Sequence, residues 1–224
     1  MSQKLPVCVE EEEFVKIIKA TNQEHHKLAF LFGFGSGLRI SEIVGQKRKL
    51  TNCCETKVRK ENIKIGEKRT KKYFCSECNK EINILKDVHI SKIKDDWEIP
   101  PVDRNKINME EKKIMIVNAK GSKDRITALP KGFKQKHLNM IPIKCGVRSL
   151  QIAFRKSCKK AGLLERKPNL HFHSLRHGFA TQMIAKGVPI HHIRTLMGHS
   201  NIATTNIYLI SNPRDALKSY EELF

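Results

Sequence analysis

The stretch HFHSLRHGFATQMIAKGVPIHHIRTLMGHSNIATTNIY, residues 171–208, carries histidine, arginine and tyrosine side chains at defined spacings inside short amphipathic segments. Its first segment predicts a helix with Ser174 as the N-terminal cap and Gly187 as the residue that ends it. His173 and Arg176 are three residues apart at the start of this helix, so both side chains project from the same side. Two hydrogen-bonding groups are therefore expected side by side.

Two further helices are predicted after this one. Pro189 suits the first turn of the second helix, because its fixed backbone angle φ matches that of a helix, and Gly198 ends it. His199 follows that stop directly, and a third short helix leads to Tyr208. The phenol of Tyr208 is either packed against apolar neighbours or used in chemistry.

This order of residues resembles the C-terminal signature of the tyrosine recombinase (phage integrase) family: H-x-x-R, then G-H, then a tyrosine nine residues after that histidine. Upstream, GSGLRISEI around Arg39 and NAKGSKDR around Lys120 are similar to the remaining motifs of the family. The most specific of these pieces is HSLRH, residues 173–177. The resemblance covers residues 9–45 and about 102–224, and it does not cover the stretch between them.

The resemblance implies a mainly α fold with a small antiparallel β-sheet, as in the catalytic domain of a tyrosine recombinase. We expect residues 1–224 to form this domain, interrupted at 47–100 by a small basic, cysteine-containing subdomain. The family's usual N-terminal DNA-clamping domain is expected to be missing, because the chain begins a few residues before the first predicted helix.

Helices and strands of the predicted domain follow from apolar periodicity. Residues 9–21, 24–34 and 147–161 have the spacing of helices that bury one face or more. Residues 112–118 and 125–129 alternate as the two strands of a hairpin whose turn carries Lys120. A terminal helix is expected to begin at Pro213.

The resemblance further implies an enzyme that acts on DNA phosphodiesters. Arg39 and Arg176 would each hold the non-bridging oxygens of a phosphate, because a guanidinium presents a fork of N–H donors. His173 and His199 would hydrogen-bond to the same phosphate or assist proton transfer. Glu42 is placed to orient Arg39 by a salt bridge. Taken singly, Arg39 could instead be a solvated surface arginine, and His173 and His199 could be packed histidines.

Covalent chemistry is assigned by the same resemblance to Tyr208. Its phenol would attack phosphorus and form a 3′-phosphotyrosyl link, with nearby positive charge or a base lowering the barrier. Lys120 would donate a proton to the departing 5′-oxygen. This chemistry stores the energy of the broken bond in the protein link, so no cofactor and no catalytic metal is expected.

Composition is consistent with a DNA-binding protein. The chain has a formal net charge of +20 and a pI of about 9.8, as expected of a protein that neutralises phosphates. The alternative is a ribosome-associated or merely basic protein. Neither a signal peptide nor a membrane-spanning apolar run is evident, so we expect the chain in the cytoplasm, associated with the nucleoid. Its seven cysteines are then not expected to form disulfides.

The expected insertion is basic and contains two cysteine pairs. Four thiolates in two groups about twenty residues apart predict a structural zinc site: Cys53, Cys54, Cys75 and Cys78. Adjacent cysteines rarely reach one metal without backbone distortion, so His89 is a candidate to replace one of the first pair. The alternative is that the cysteines are reduced and packed in a small core.

The insertion is also a candidate for DNA binding. About fifty residues can hardly bury a sufficient core, and a metal would supply the missing stability. We hypothesise that its basic segment contacts the DNA backbone and partly replaces the missing DNA-clamping domain.

Four functions remain open from the sequence. The first is a site-specific recombinase or integrase that acts on double-stranded DNA as a homotetramer and is monomeric when free. The second is a type IB topoisomerase-like enzyme that nicks and closes DNA alone. The third is a non-catalytic zinc-containing DNA-binding protein with the same fold, and the fourth is a truncated remnant of a longer integrase. An intact set of site residues and a short C-terminal tail favour the first.

Overall fold

The computed structural model of the chain describes residues 6–65, 68–92, 96–119 and 123–198. The chain divides into two compact units. One comprises Met1–Val44 together with Pro101–Phe224, and the other is Gly45–Pro100. Among the described residues, no helix is both long and apolar enough to cross a membrane. The terminal helix predicted from Pro213 lies outside the described residues.

The larger unit is mainly helical, as the resemblance implied. Its helices are α1 (Glu11–Ala20), α2 (Glu24–Gly35), α3 (Ile40–Val44), α4 (Val147–Lys160), α5 (His173–Ala185) and α6 (Ile190–Met197), with short 3₁₀ helices at Arg104–Lys106 and Gln135–Met140. The helices predicted within the described residues are confirmed to within two residues at each end, whereas the short helix predicted before Tyr208 lies outside those residues. At the start of α1, for example, the Glu13 carboxylate accepts a hydrogen bond from the backbone N–H of Glu10 at 3.0 Å, which satisfies a donor that the helix leaves free.

An aromatic cluster forms the centre of the core of this unit. The ring of Phe30 in α2 lies edge-on to Phe154 of α4 and to Phe172, with centroid distances of 5.4 and 5.9 Å. All three side chains are buried, and each such burial contributes about 1.5–3 kcal/mol. Because Phe172 directly precedes α5, this packing fixes the place where His173 begins the helix.

One small antiparallel sheet accompanies the helices. Its strands are β7 (Ile107–Asn108), β8 (Lys113–Ala119) and β9 (Lys123–Ala128), in the order β7-β8-β9. Ile114 and Ile116 of β8 are buried in the core. The predicted hairpin is thus confirmed, with strand ends shifted by one or two residues.

The smaller unit contains only strands among its regular elements in the described residues. Three two-stranded antiparallel sheets pair β1 (Gln46–Lys47) with β6 (Trp97–Ile99), β2 (Lys49–Thr51) with β5 (Val88–Ile90), and β3 (Val58–Ile65) with β4 (Lys68–Cys75). The ammonium of Lys47 lies 4.5 Å from the centre of the Trp97 ring, a cation–π contact that joins the first pair. The described apolar side chains that this unit buries are Cys75, Ile82 and Ile99.

Candidate active site and candidate metal site

Three of the six predicted catalytic residues lie among the described residues. Arg39 directly precedes α3, and His173 and Arg176 stand in the first turn of α5. The other three, Lys120, His199 and Tyr208, lie outside the described residues. The arrangement of Arg39, His173 and Arg176 is therefore the part of the site that the structure defines.

The first turn of α5 places His173 and Arg176 differently with respect to solvent. His173 is exposed, whereas Arg176 is only 1% exposed. The prediction that Ser174 caps this helix is wrong, because the helix begins at His173 and Phe172 is the N-cap. Ser174 is buried inside the first turn and accepts a hydrogen bond from the backbone N–H of His171 at 3.3 Å. It thereby holds the turn that leads into the helix.

Arg176 is fixed by backbone carbonyl groups from two other segments. Its Nη1 donates to the carbonyl oxygen of Gly37, and its Nη2 donates to that of Met197 at 2.6 Å. Gly37 has a φ of +64°, and a Cβ there would lie 2.6 Å from the Phe179 ring. Glycine is required at this position, because any other residue would be strained and would displace that ring.

Arg39 forms an ion pair with Glu42, which follows it by three residues. Its Nη1 lies 2.8 Å from Oε1 of Glu42, and its backbone N–H donates to Oε2 at 2.7 Å, which confirms the expected salt bridge. Its Nη2 donates to the carbonyl oxygen of Gly198 at 3.2 Å. The Arg39 side chain keeps 17% of its surface exposed, so it can still meet a ligand.

Arg125 completes this group and was not singled out from the sequence. Its Nη1 and Nη2 donate to the two carboxylate oxygens of Glu42 at 2.7 and 2.9 Å. The sequence pattern could have identified it, because strand alternation puts Arg125 on the same face of β9 as the buried Thr127. A basic residue on an inward-facing strand position requires an acidic partner, and Glu42 is that partner.

Glu42 is ionised in this environment. Burial alone would raise its pKa, but the hydrogen bonds and charge of Arg125, followed by those of Arg39, outweigh that effect and lower the pKa to about 2. The carboxylate therefore carries its full charge at neutral pH, and two guanidinium groups share it.

His173 is kept neutral by its surroundings. Partial desolvation of the ring and the charge of Arg176, with smaller contributions from His171 and Arg39, lower the pKa of His173 to about 4. The ring keeps an exposed face, where water moderates this shift without reversing it. His177 lies edge-on to it at 5.0 Å between centroids. Desolvation lowers the pKa of His177 to about 4 as well, in keeping with a supporting position.

A basic cavity of about 480 Å³ opens beside His173. Helix α4 forms one wall with Arg148, Gln151, Ile152, Arg155 and Lys156, and the other wall consists of Ile40, His171, Phe172 and His173. Arg155 donates to the carbonyl oxygens of Pro168 and Leu170 at 2.6 and 3.1 Å. It therefore fixes the loop that leads into α5, while the other cationic groups of the wall remain for an anionic ligand.

The four predicted cysteines of the smaller unit come together. The Sγ atoms of Cys53, Cys54, Cys75 and Cys78 all lie within 4.8 Å of one another, and those of Cys53 and Cys78 are 3.6 Å apart. This group, the cysteine cluster, could hold a metal ion. Adjacent cysteines thus reach one centre after all, in a turn where Glu55 has a φ of +52°.

His89 is not a member of the cysteine cluster. Its Nδ1 lies 2.9 Å from Oδ1 of Asn52. Cys75, by contrast, is surrounded by donors: the hydroxyl groups of Thr56 and Thr51, followed by the backbone N–H of Cys78, lower the pKa of Cys75 to about 5. Such donors favour a thiolate, the form that binds metals.

Comparison with known proteins identifies relatives of one kind. The sequence model of the phage integrase family matches residues 98–214. The tyrosine recombinase XerC-like protein of Caldanaerobacter subterraneus subsp. tengcongensis is 30% identical over 220 residues, which cover 95% of this chain and 52% of that protein. Tyrosine recombinase XerA of Pyrococcus horikoshii is 26% identical over 225 residues, which cover 92% of this chain and 57% of that protein.

The fold is also that of a known recombinase structure. The crystal structure of the XerA recombinase superposes with a TM-score of 0.60 at 18% identity, covering 99% of this chain and 65% of that chain. The chain spans about half the length of the curated relatives that it matches. Because the family's sequence pattern covers more than half of its residues, the chain belongs to the phage integrase family.

Proposed function

We propose that this chain is a site-specific DNA recombinase or integrase that cleaves and rejoins DNA strands through a 3′-phosphotyrosyl intermediate. The observation that carries the proposal is the convergence of two separate motifs of the family: Arg39, paired with the buried carboxylate of Glu42, lies close to His173 and Arg176 of the H-x-x-R motif. Arg39 and Arg176 both lie near enough to His173 for their charges to lower its pKa. A phosphodiester is the ligand that such a cationic group suits.

In this proposal the arginines bind the scissile phosphate. Fixed acceptors already orient both guanidinium groups, so little reorganisation is needed when charge develops on the phosphate oxygens during attack. Arg39 and His173 keep exposed surface at the site and contact the phosphate. The neighbouring cavity along α4 accommodates the adjoining DNA backbone.

Cleavage proceeds by one displacement at phosphorus. The phenol oxygen of Tyr208 forms the new P–O bond while the bond to the 5′-oxygen breaks. His173 accepts the phenol proton, because a neutral imidazole is the form present at pH 7. Lys120 gives a proton to the 5′-oxygen, and His199 adds a hydrogen bond to the phosphate. Rejoining reverses these transfers with a new 5′-hydroxyl.

A nicked suicide substrate tests this function. It loses a short fragment on cleavage and traps the covalent complex, which migrates slowly on a denaturing gel. Wild-type protein should form the complex. Tyr208→Phe should abolish it, and Arg39→Ala or Arg176→Ala should reduce it by about a hundredfold or more. Tyr220→Phe removes a phenol hydroxyl from a tyrosine outside the family motifs, so it serves as the matched control and should react as the wild type does.

The proposed partner is double-stranded DNA, on which the chain forms a homotetramer that synapses two duplexes. In the absence of DNA the chain is a monomer. This activity places the chain in the cytoplasm, associated with the nucleoid. Native mass measurement of the crosslinked complex on DNA tests the assembly. A single protomer per duplex would instead indicate a nicking and closing enzyme that acts alone.

Zinc is the metal that suits the cysteine cluster. Zinc binds four thiolates in a tetrahedron with bonds of about 2.3 Å, which separates the sulfur atoms by about 3.8 Å. The 3.6 Å between Cys53 and Cys78 is close to that value, and the donors around Cys75 suit a thiolate. Cys53, Cys54, Cys75 and Cys78 would hold the ion, which would cross-link the unit and take no part in cleavage.

The smaller unit is proposed to be an insertion in the catalytic domain, at 47–100, that grips DNA through one face of the β3–β4 hairpin. Lys60 pairs with Tyr73 in the register, and alternation places Lys71 on the same face. Both lysines are exposed. On the opposite face two cations are engaged, since Arg59 pairs with Glu61 at 3.1 Å and Lys72 with Glu81 at 2.8 Å.

A further inference from the structure

Three arginines each donate a hydrogen bond to a different backbone carbonyl group at the C-terminal end of α6. Arg125 Nε is 3.0 Å from the oxygen of Leu196, Arg176 Nη2 is 2.6 Å from that of Met197, and Arg39 Nη2 is 3.2 Å from that of Gly198. Carbonyl groups at a helix C-terminus lack partners within the helix and carry partial negative charge, so guanidinium groups suit them. The family motifs assign two of these arginines to the phosphate. They assign no role to Arg125.

Arg125 also controls how much negative charge Arg39 experiences. Glu42 is fully buried and shares its carboxylate between the two guanidinium groups. Arg125 binds both of its oxygens, and its side chain is only 6% exposed. If Arg125 were neutral, the whole charge of Glu42 would act on Arg39 in a region of low dielectric constant. The Arg39 guanidinium would then pair with Glu42 in preference to a phosphate.

Close packing supports the second contact of Arg125. Gly198 has a φ of +64°, and a Cβ there would lie 2.6 Å from Cδ of Arg125. The missing side chain at Gly198 therefore allows the Arg125 stem to lie against the end of α6. From this residue the chain continues to His199.

We propose that Arg125 is a positioning residue for strand cleavage, a role that rests on the recombinase function proposed above. It neutralises Glu42, so that Arg39 keeps its positive charge for the phosphate. It also fixes the end of α6, up to Gly198. Arg125 acts through Glu42 and Arg39, and it does not touch the DNA.

The test compares the rate of covalent complex formation in a single turnover at saturating DNA. Arg125→Met keeps the length of the side chain and removes its charge. It should slow cleavage by about a hundredfold, the usual cost of a displaced catalytic group, and change the dissociation constant for DNA less than about threefold. Lys113→Met, which removes a surface charge from the adjacent strand, should cleave at the wild-type rate.

A second substitution separates electrostatics from loss of structure. The double variant Glu42→Gln/Arg125→Met removes the carboxylate that would capture Arg39, so it should cleave about tenfold faster than Arg125→Met or more. A merely structural role predicts that the double variant is as slow as the single one or slower. Should Arg125→Met fail to fold, as judged by its helical circular dichroism, Arg125→Lys is measured instead. It retains the charge that neutralises Glu42, so it should cleave within about tenfold of the wild-type rate, and a rate as low as that of Arg39→Ala would overturn the role of Arg125.

The outcomes separate two hypotheses. A folded Arg125→Met variant that cleaves normally, or one whose defect the second substitution does not relieve, overturns the role of Arg125 alone. Failure of the wild type to form any covalent complex overturns the recombinase proposal itself.

Discussion

The two compact units are stabilised in different ways. The larger unit packs Phe30 in a core of buried aromatic and aliphatic side chains that come from helices α1 to α5. In the described part of the smaller unit the buried apolar side chains are Cys75, Ile82 and Ile99, and four thiols converge beside them. A helical unit of this size can rely on packing, whereas a unit of short strands that buries so few apolar side chains is marginal without a further source of stability. Packing stabilises the larger unit, and the proposed metal cross-link at the cysteine cluster would stabilise the smaller one.

Metal removal is the largest expected effect. Chelation or Cys78→Ser should unfold the smaller unit, because structural zinc contributes on the order of 10 kcal/mol to small domains. The single tryptophan of the chain, Trp97, lies in this unit, so its fluorescence reports the smaller unit, while circular dichroism at 222 nm reports the helices of the larger one. The fluorescence should change and the helical signal should persist.

Cys145→Ser provides the control for metal removal. Cys145 lies in the larger unit, outside the cysteine cluster, so this variant should keep one zinc per chain by elemental analysis. A wild-type protein purified without metal, with Trp97 fluorescence insensitive to chelators, would show that the thiols are simply packed in a small core.

A cavity in the aromatic core is the next largest effect. Phe30→Ala should destabilise the larger unit by about 3–5 kcal/mol, because it removes a fully buried ring that contacts two others. The midpoint of the 222 nm transition in urea should fall, while the metal content and Trp97 fluorescence at low urea stay unchanged. Val15→Ala, at a half-exposed position of α1, should shift the midpoint little. If the 222 nm signal and the Trp97 fluorescence of Phe30→Ala were lost together at the same urea concentration, the two units would not be stabilised separately.

Low pH should destabilise the larger unit, because Glu42 becomes protonated. Its pKa is about 2 in the folded chain against an ordinary value of 4.5. A lowered carboxyl pKa contributes stability above the ordinary value, and that contribution is lost as the pH falls from about 5 to 2. The difference amounts to about 3 kcal/mol. The free energy of unfolding, obtained from urea titrations followed at 222 nm between pH 7 and pH 3, should therefore fall more steeply for wild type than for Glu42→Gln. Parallel curves would contradict the assignment of this charge to the buried network.

The sequence was sufficient for those parts of the fold and site that depend on local pattern. The helices follow from apolar spacing, the hairpin from alternation, and the pairing of Arg39 with Glu42 from their separation of three residues. Contacts between distant residues were not predictable in this way. Arg125 meets Glu42 across 83 positions of sequence; alternation along the strand indicates that Arg125 points inward, but only the folded chain shows which acid it meets. Likewise, a turn geometry that lets adjacent Cys53 and Cys54 reach one centre depends on a positive φ at Glu55.

The smallest expected effect concerns the DNA contact proposed for the smaller unit. Each phosphate contact contributes about 0.9 to the slope of log affinity against log salt concentration. The double variant Lys60→Ala/Lys71→Ala should therefore reduce that slope by about 1.8 and weaken DNA binding by about tenfold, or 1.4 kcal/mol. Fluorescence anisotropy of a labelled duplex, measured across a salt series, gives both quantities.

Arg59→Ala/Lys72→Ala is the matched control, because it removes the same charge from the other face of the same hairpin, where Glu61 and Glu81 already neutralise it. Its slope should change by less than half as much. Equal losses in the two variants would mean that DNA responds only to the net charge of the unit, and no loss in either would remove the unit from the DNA interface. A loss of affinity confined to the Lys60→Ala/Lys71→Ala variant would place the DNA contact on that face. If chelation then makes the wild type bind DNA as weakly as this variant, the smaller unit binds DNA only while its metal keeps the hairpin folded.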